Sequence, residues 1–117
     1  MSRSPAAYLY DMQRAAAAIR TFSSGKTFSD FNTDLLLRSA IERQFEIIGE
    51  ALNKLGKLEP DLQARIRNHQ NIIGFHNIFV HGYASLDNAI VWDAVIRHVA
   101  KIHTDVAHVL AGYDDNA

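Results

Sequence analysis

Apolar residues recur three and four positions apart along much of the chain, which is the spacing of helices that bury one face. The strongest such stripe predicts a long helix that begins near Thr33 or Asp34 and ends near Leu55, with Gly56 as its terminator. The buried positions of this helix are expected at Leu37, Ile41, Ile48, Leu52 and Leu55. No segment alternates apolar and polar residues convincingly, so the pattern predicts no strand.

Capping residues and glycines predict the limits of the helices in the first half of the chain. Ser4 followed by Pro5 is typical of a helix start, and Gly25 is a natural stop. A first helix should therefore run from Pro5 to about Ser24. The polar connection that follows contains Phe28 and Phe31, which we expect to pack against the core.

Three further helices are predicted in the second half. Asp61 is well placed at the start of a short helix, and another covers roughly Gln70 to His81, with Gly82 at its end. Ser85 or Asp87 then opens a final helix. The apolar face of this last helix comprises Ile90, Trp92, Val95, Ile96, Val99, Val106 and Leu110.

The predicted fold is therefore all-α, an up-and-down bundle of four or five helices in a single domain over residues 1–117. A hydrophobic fraction of 48% is enough for a core, and its aromatic residues favour an apolar patch that a second copy would cover. The chain has 12 basic and 13 acidic residues, which argues against a broad basic face. It has no cysteine, no secretory leader and no membrane-spanning run, so we expect a cytoplasmic protein.

The stretch GFHNIFVHGY, residues 74–83, contains the most suggestive chemistry. It places His76, His81 and Tyr83 close together, and imidazoles titrate near neutral pH, so one ring can accept a proton while another donates. Cleavage of RNA through its own 2′-hydroxyl needs general acid–base catalysis of this kind. On one helix, however, the two histidines point roughly 140° apart, so they meet one substrate only if the helix bends or a second chain contributes. The alternative is that His76 is a surface helix residue and His81 a buried residue at the helix end that bonds a carbonyl.

A second polar group lies in RQFEIIGEA, residues 43–51. Arg43, Glu46 and Glu50 recur at three and four positions and form either a charged wall of a cleft or a solvated, salt-bridged face. Gly49 inside this helix costs about 1 kcal/mol relative to alanine, which indicates close approach of another helix or a ligand.

Metal and phosphate-loop chemistry find little support in the sequence. The other histidines, His69, His98, His103 and His108, do not have the spacing of a helical zinc site, and no HExxH motif occurs. No glycine-rich phosphate loop is present either. We expect neither a metal nor a cofactor.

Two blocks of sequence resemble the HepT-like proteins of the HEPN superfamily. The first is RSAIERQFEIIGEALNKL, with its IGEA core, and the second is IIGFHNIFVHGYASLDNAIVWDAV. The resemblance runs from about Tyr8 to the C-terminal helix, and the two blocks together are more specific than either alone.

This resemblance implies a metal-independent ribonuclease toxin, encoded with a small nucleotidyltransferase antitoxin. It implies a homodimer in which motifs from two chains face each other in a cleft that binds RNA. The catalytic acid or base of the family falls on His81, and the tyrosine that the partner modifies with AMP falls on Tyr83. Asn77 and Gly82 match the motif as well.

The chain departs from the family pattern at one position. The motif is RxxxxH, and its arginine falls on His76. Guanidinium has a fixed charge and a bidentate fork for phosphate, whereas imidazole offers at most one donor and a part-time charge. Three interpretations stay open: an introduced change that disarms the enzyme, a natural loss of activity, or a two-histidine pair that still cuts RNA.

Two functions therefore compete at the level of sequence. The first is a ribonuclease toxin, weakened or inactive because position 76 is histidine. The second is a non-catalytic module that binds a nucleotide or docks onto a nucleotidyltransferase, which the near-neutral charge and His76 both favour. Assays of RNA turnover and of nucleotide binding distinguish them.

Overall fold

Short polar side chains set where most of the helices begin. The structure, a computed structural model, describes residues 3–81 and 87–115, apart from the side chains at positions 80, 81, 114 and 115. Within these ranges the chain forms seven helices and no strand, namely α1 (Pro5–Ser23), α2 (Phe28–Thr33), α3 (Leu35–Leu58), α4 (Pro60–Ala64), α5 (His69–His81), α6 (Asn88–Arg97) and α7 (Val99–Asp115). Ser4, Thr27, Asp34 and Asp87 cap α1, α2, α3 and α6 by accepting backbone N–H groups. The all-α prediction is confirmed.

Helix α3 lies at the centre of the bundle and packs against both α1 and α5, while α1 also packs against α7. Helices α1 and α3 run antiparallel, because Tyr8 near the start of α1 shares a groove with Lys54, whereas Phe22 near its end lies beside Leu36. The apolar stripe predicted for α3 is buried at every position, Leu37, Ile41, Ile48, Leu52 and Leu55. In the described part of the chain the buried apolar side chains form one cluster.

The polar connection predicted after α1 contains a short helix that was not predicted. Thr27 and Asp30 form a capping box, in which each side chain accepts a hydrogen bond from the other residue's backbone N–H, and this nucleates α2. Phe31 is fully buried against Trp92, as expected. Phe28 lies one turn earlier on the outer face and is 41% exposed, so its predicted burial was wrong. Gly25 lies two residues after the end of α1 and has φ +72°, a left-handed conformation that stops the helix there as predicted.

The predicted end of α3 at Leu55 was also wrong. The helix continues through Gly56 to Leu58, and Pro60 then begins α4. Gly56 serves a packing role here, since a side chain at this position would overlap the amide of Gln63. That amide donates a 3.0 Å hydrogen bond to the carbonyl of Leu52, so α4 is held tightly on the last turns of α3.

The final predicted helix is divided in two at His98. The break lets α6 bury Trp92 against α2, while α7 packs along α1. Trp92, Val95, Val99, Val106 and Leu110 are buried as predicted. Ile90 and Ile96 were wrongly placed in the core and are 52% and 63% exposed. On an ideal helix these two residues lie roughly 140° and 100° around the axis from Val95, outside the buried stripe of Val91, Val95, Val99, Ile102 and Val106, so helical periodicity itself turns them outward.

The segment before α5 is tied to α7 by one ion pair. Asp105 accepts from Nε of Arg67 at 3.0 Å, from Nη2 at 2.9 Å and from its backbone N–H at 2.9 Å. Asn68, the next residue, has φ +64°, a left-handed conformation that asparagine tolerates better than most residues. The chain therefore turns sharply into α5 at a point anchored on α7.

Removal of the Asp105 carboxylate is expected to destabilise the fold. Arg67 holds the pKa of Asp105 below its ordinary value, first through the side-chain hydrogen bond. The bond therefore stabilises the folded state above the unfolded pKa near 3.9 and is lost as pH falls through the lower folded value. We expect Asp105→Ala to lower the free energy of unfolding in urea at pH 7 by about 1 kcal/mol, the worth of the lost backbone hydrogen bond.

Asp93→Ala is the matched control, because Asp93 pairs with Arg97 at 2.8 Å on an exposed surface of α6. It should change the urea midpoint less than Asp105→Ala at pH 7. The difference between Asp105→Ala and the parent should shrink as pH falls below about 4. Equal midpoints for the two variants at pH 7 would contradict the anchoring role of Asp105.

In the ranges that the structure describes, none of the helices combines the length and apolar character needed to cross a bilayer.

Candidate active site

Helix α5 is seated on α3 through direct contact between Gly49 and His76. A side chain at position 49 would overlap Cβ of His76 and would lie 3.0 Å from the carbonyl oxygen of Ile72. Only glycine therefore permits this approach of the two helices. The prediction that Gly49 marks a close contact is confirmed, and the contact is with a helix that carries a candidate catalytic residue.

The two helices run in opposite directions along this contact. Gln63, which precedes α5, bonds to the carbonyl of Leu52 near the end of α3, whereas Phe75, farther along the chain, meets Phe45 edge-on with ring centroids 5.7 Å apart. Phe75 in turn contacts Phe79 at 6.3 Å. The carboxyl end of α5 therefore points toward the amino-terminal half of α3. Residues in that half of α3 are the ones nearest to the end of the segment HNIFVH, residues 76–81.

His76 is half-buried at the α3–α5 contact, and its neighbour Asn77 is exposed. Nδ1 of His76 lies 3.5 Å from Oδ1 of Asn77, a long and weak hydrogen bond. Cβ of His76 thus lies directly against α3. The contact with α3 therefore fixes the position from which the side chain at 76 leaves the backbone.

His81 is the last residue of α5 and lies five residues, roughly 7.5 Å, beyond His76 along the helix axis. Its side chain lies outside the described part of the structure, as do Gly82 and Tyr83. Because five residues turn the helix by roughly 140°, the backbone directions at positions 76 and 81 diverge.

The three charged residues singled out on α3, namely Arg43, Glu46 and Glu50, belong to two separate ion pairs. Arg43 donates to Glu46 at 3.1 Å, and Lys54 donates to Glu50 at 3.1 Å. Glu50 also lines a groove against α1 with Tyr8 and other residues. Glu46 lies closest to the α5 side of α3, roughly 60° around the helix from Gly49, whereas Arg43 and Glu50 are each roughly 100–120° away.

Two residues of α3 that we did not single out from sequence lie on the face that packs against α5. Arg38 and Glu42 precede Gly49 by eleven and seven residues, so both point within roughly 20° of its direction. Burial raises the pKa of the half-buried Glu42 carboxyl; nearby Arg38 opposes that rise, and Glu46 adds to it. The spacing 38, 42, 45 and 49 is the sequence signal for this face, but only the position of α5 shows that it matters.

The remaining histidines lie away from this contact or have structural roles. Nδ1 of His69 lies 2.7 Å from the carbonyl of Ile66, in the turn that opens α5. Among the side chains that the structure describes, no three of the histidine, aspartate and glutamate type are grouped as they would be around a metal ion.

Comparison with known families identifies the class of protein. The family model described as Ribonuclease HepT-like matches residues 12–109, which is most of the chain. The chain therefore belongs to the HepT-like ribonuclease family of the HEPN type.

Several curated relatives match over nearly their whole length. The chain is 29% identical over 102 residues to "Putative RNase MJ1380" of Methanocaldococcus jannaschii, and this alignment covers 86% of this chain and 91% of that protein. It is 30% identical over 106 residues to "Probable ribonuclease HepT" of Thermococcus cleftensis, covering 87% and 92%. It is 25% identical over 108 residues to "Putative RNase TTE0752" of Caldanaerobacter subterraneus, covering 92% and 96%. No solved structure matches the chain.

Proposed function

We propose that this protein is a metal-independent endoribonuclease toxin of a toxin–antitoxin system, weakened by histidine at position 76. The observation that carries the proposal is the seat of His76 on Gly49, which fixes the HNIFVH segment on a rigid two-helix platform. A catalytic group must be held within a fraction of an ångström to be effective, and a packed helix contact does this better than a loop.

The proposed reaction is transesterification at one RNA phosphate. A base accepts the proton of the 2′-hydroxyl while the 2′-oxygen forms a bond to phosphorus. The bond from phosphorus to the 5′-oxygen breaks, and an acid donates a proton to that oxygen. The products are a 2′,3′-cyclic phosphate and a 5′-hydroxyl, and the charge on the phosphoryl oxygens needs a positive neighbour.

In this proposal His81 is the general acid or base, and position 76 neutralises the scissile phosphate. Histidine at 76 does so poorly, because neutral imidazole has no charge and a single donor. Asn77 is exposed beside it and offers an amide donor to the substrate. Arg43, Glu46 and Glu50 frame the cleft, with Glu46 nearest to α5.

A second copy of the chain completes the proposed site. The directions at 76 and 81 diverge on one helix, so two facing copies bring His81 of each chain to a common groove. The exposed Ile90 and Ile96 of α6 supply apolar surface for such an association.

We further propose a nucleotidyltransferase antitoxin as the regulatory partner and Tyr83 as the residue that it modifies with AMP. A phenol two residues beyond His81 is close enough that a bulky, charged nucleotide on it blocks access of RNA to the site.

Cleavage of a defined single-stranded RNA by the purified chain tests the function. We expect cleavage to persist in EDTA and to yield 2′,3′-cyclic phosphate ends. In a His76→Arg background, His81→Ala should abolish this cleavage. Calorimetry with ATP and with a nucleotidyltransferase tests the alternative module. Tight nucleotide binding with no RNA turnover by the His76→Arg chain would favour that adaptor over the nuclease.

A further inference from the structure

The face of α3 that packs against α5 continues beyond the end of α5. Gly49 is level with His76, and α5 extends five residues past that level, whereas Arg38 lies eleven residues, roughly 16 Å, from Gly49 along α3. Arg38 points in nearly the same direction as Gly49 around the helix. An arginine therefore stands on the site face of α3, just past the carboxyl end of the helix that carries the two candidate histidines.

The guanidinium of Arg38 is anchored at one nitrogen. Nη1 donates to the carbonyl of Asn32 at 2.7 Å and to that of Phe31 at 3.3 Å, both at the end of α2. In the described part of the chain, neither Nε nor Nη2 of Arg38 forms a hydrogen bond or ion pair. Among the described residues the fork is held at one corner and keeps two nitrogens without a partner, an arrangement that suits an anion.

A second bond links this group to the start of α6. Asn88, the first residue of α6, donates from Nδ2 to Oδ1 of Asn32 at 3.0 Å. Arg38 and Asn88 thus share Asn32 as a support, which links α3, α2 and the start of α6. The charge is held by three elements at the end of the bundle toward which α5 points.

We propose that Arg38 is an RNA-binding residue that holds a backbone phosphate other than the scissile one. This inference rests on the proposed nuclease function. The offset of roughly 16 Å is too long for Arg38 and position 76 to grip the same phosphate, so Arg38 contacts a different phosphate of the same strand. It supplies fixed positive charge to a site whose motif has lost its own arginine.

Glu42 is the group that opposes this role. It lies four residues from Arg38 on the same face, and its charge lowers the positive potential there. The two residues therefore make opposite predictions. Arg38→Gln should weaken RNA binding, and Glu42→Gln should strengthen it.

Binding of a 2′-O-methyl RNA oligonucleotide, which lacks the attacking hydroxyl, measures this directly. We expect Arg38→Gln to weaken binding by roughly 3- to 10-fold and to reduce the slope of log affinity against log salt by about 0.7, the value for one phosphate contact on a single strand. Arg38→Lys keeps the charge and should retain the parental slope. Arg14→Gln on α1, where Arg14 pairs with Asp11 on an exposed surface, is the matched control and should retain both values.

Kinetics in the His76→Arg background separate binding from a structural role at the end of α2. A phosphate-binding role for Arg38 predicts that Arg38→Gln raises KM for RNA and leaves kcat and the melting temperature close to parental. A fall in kcat and in melting temperature with an unchanged salt slope would overturn the proposal. So would unchanged affinity and slope while His81-dependent cleavage persists, which leaves the nuclease function standing. Absence of RNA binding by every form would overturn both.

Discussion

Replacement of His76 by arginine is expected to raise the rate of RNA cleavage by about 10²–10³, the usual worth of one preorganised donor to a developing oxyanion. Guanidinium has a permanent charge and a bidentate fork, whereas imidazole at pH 7 is mostly neutral. Position 76 is half-buried, and an arginine there keeps the same Cβ that lies against Gly49. Single-turnover cleavage of a defined RNA measures the gain.

The control for this gain is the same substitution with His81 removed. His76→Arg combined with His81→Ala should return the rate to background, and urea midpoints of all three chains should agree. Equal rates for the parent and His76→Arg would contradict the role assigned to position 76. That result would favour the interpretation in which His76 and His81 already act as an acid–base pair.

The second large effect is expected at Gly49. Gly49→Ala places a methyl group where Cβ of His76 already lies, next to the backbone carbonyl of Ile72. Neither neighbour is the flexible end of a side chain, so α5 must shift away from α3. Overpacking of this kind typically costs about 1–3 kcal/mol, and urea unfolding measures that loss. In the His76→Arg chain the same variant should also lose cleavage activity, because the segment at 76–81 moves.

Gly74→Ala is the matched test on the neighbouring helix. A Cβ at position 74 meets nothing within 4 Å, so this change should stabilise the chain by about 0.5–1 kcal/mol through helix propensity alone. Opposite signs for two glycine-to-alanine changes isolate the steric effect at Gly49. If both variants were stabilised, α5 would not lie as close to α3 as described.

The site could be predicted in part from sequence, because its chemistry depends on residue types and short spacings. His76, Asn77 and His81 stand out as proton-transfer and polar groups, and Gly49 stands out as an unfavourable residue inside a helix. The partner of Gly49 could not be predicted, since 27 residues separate it from His76. Arg38 and Glu42 were missed for the same reason: on their own helix they are ordinary polar residues.

By itself the sequence determined the helical class, the buried stripe of α3 and the starts of α1, α3 and α5, because local spacing and capping dictate these. Only the tertiary structure decided that the last helix divides at His98, that α3 passes through Gly56, and that α5 lies antiparallel on α3 with His76 against Gly49. These features arise from contacts between residues far apart in the chain. Periodicity within one helix has no information about which neighbour covers its face or where that neighbour ends.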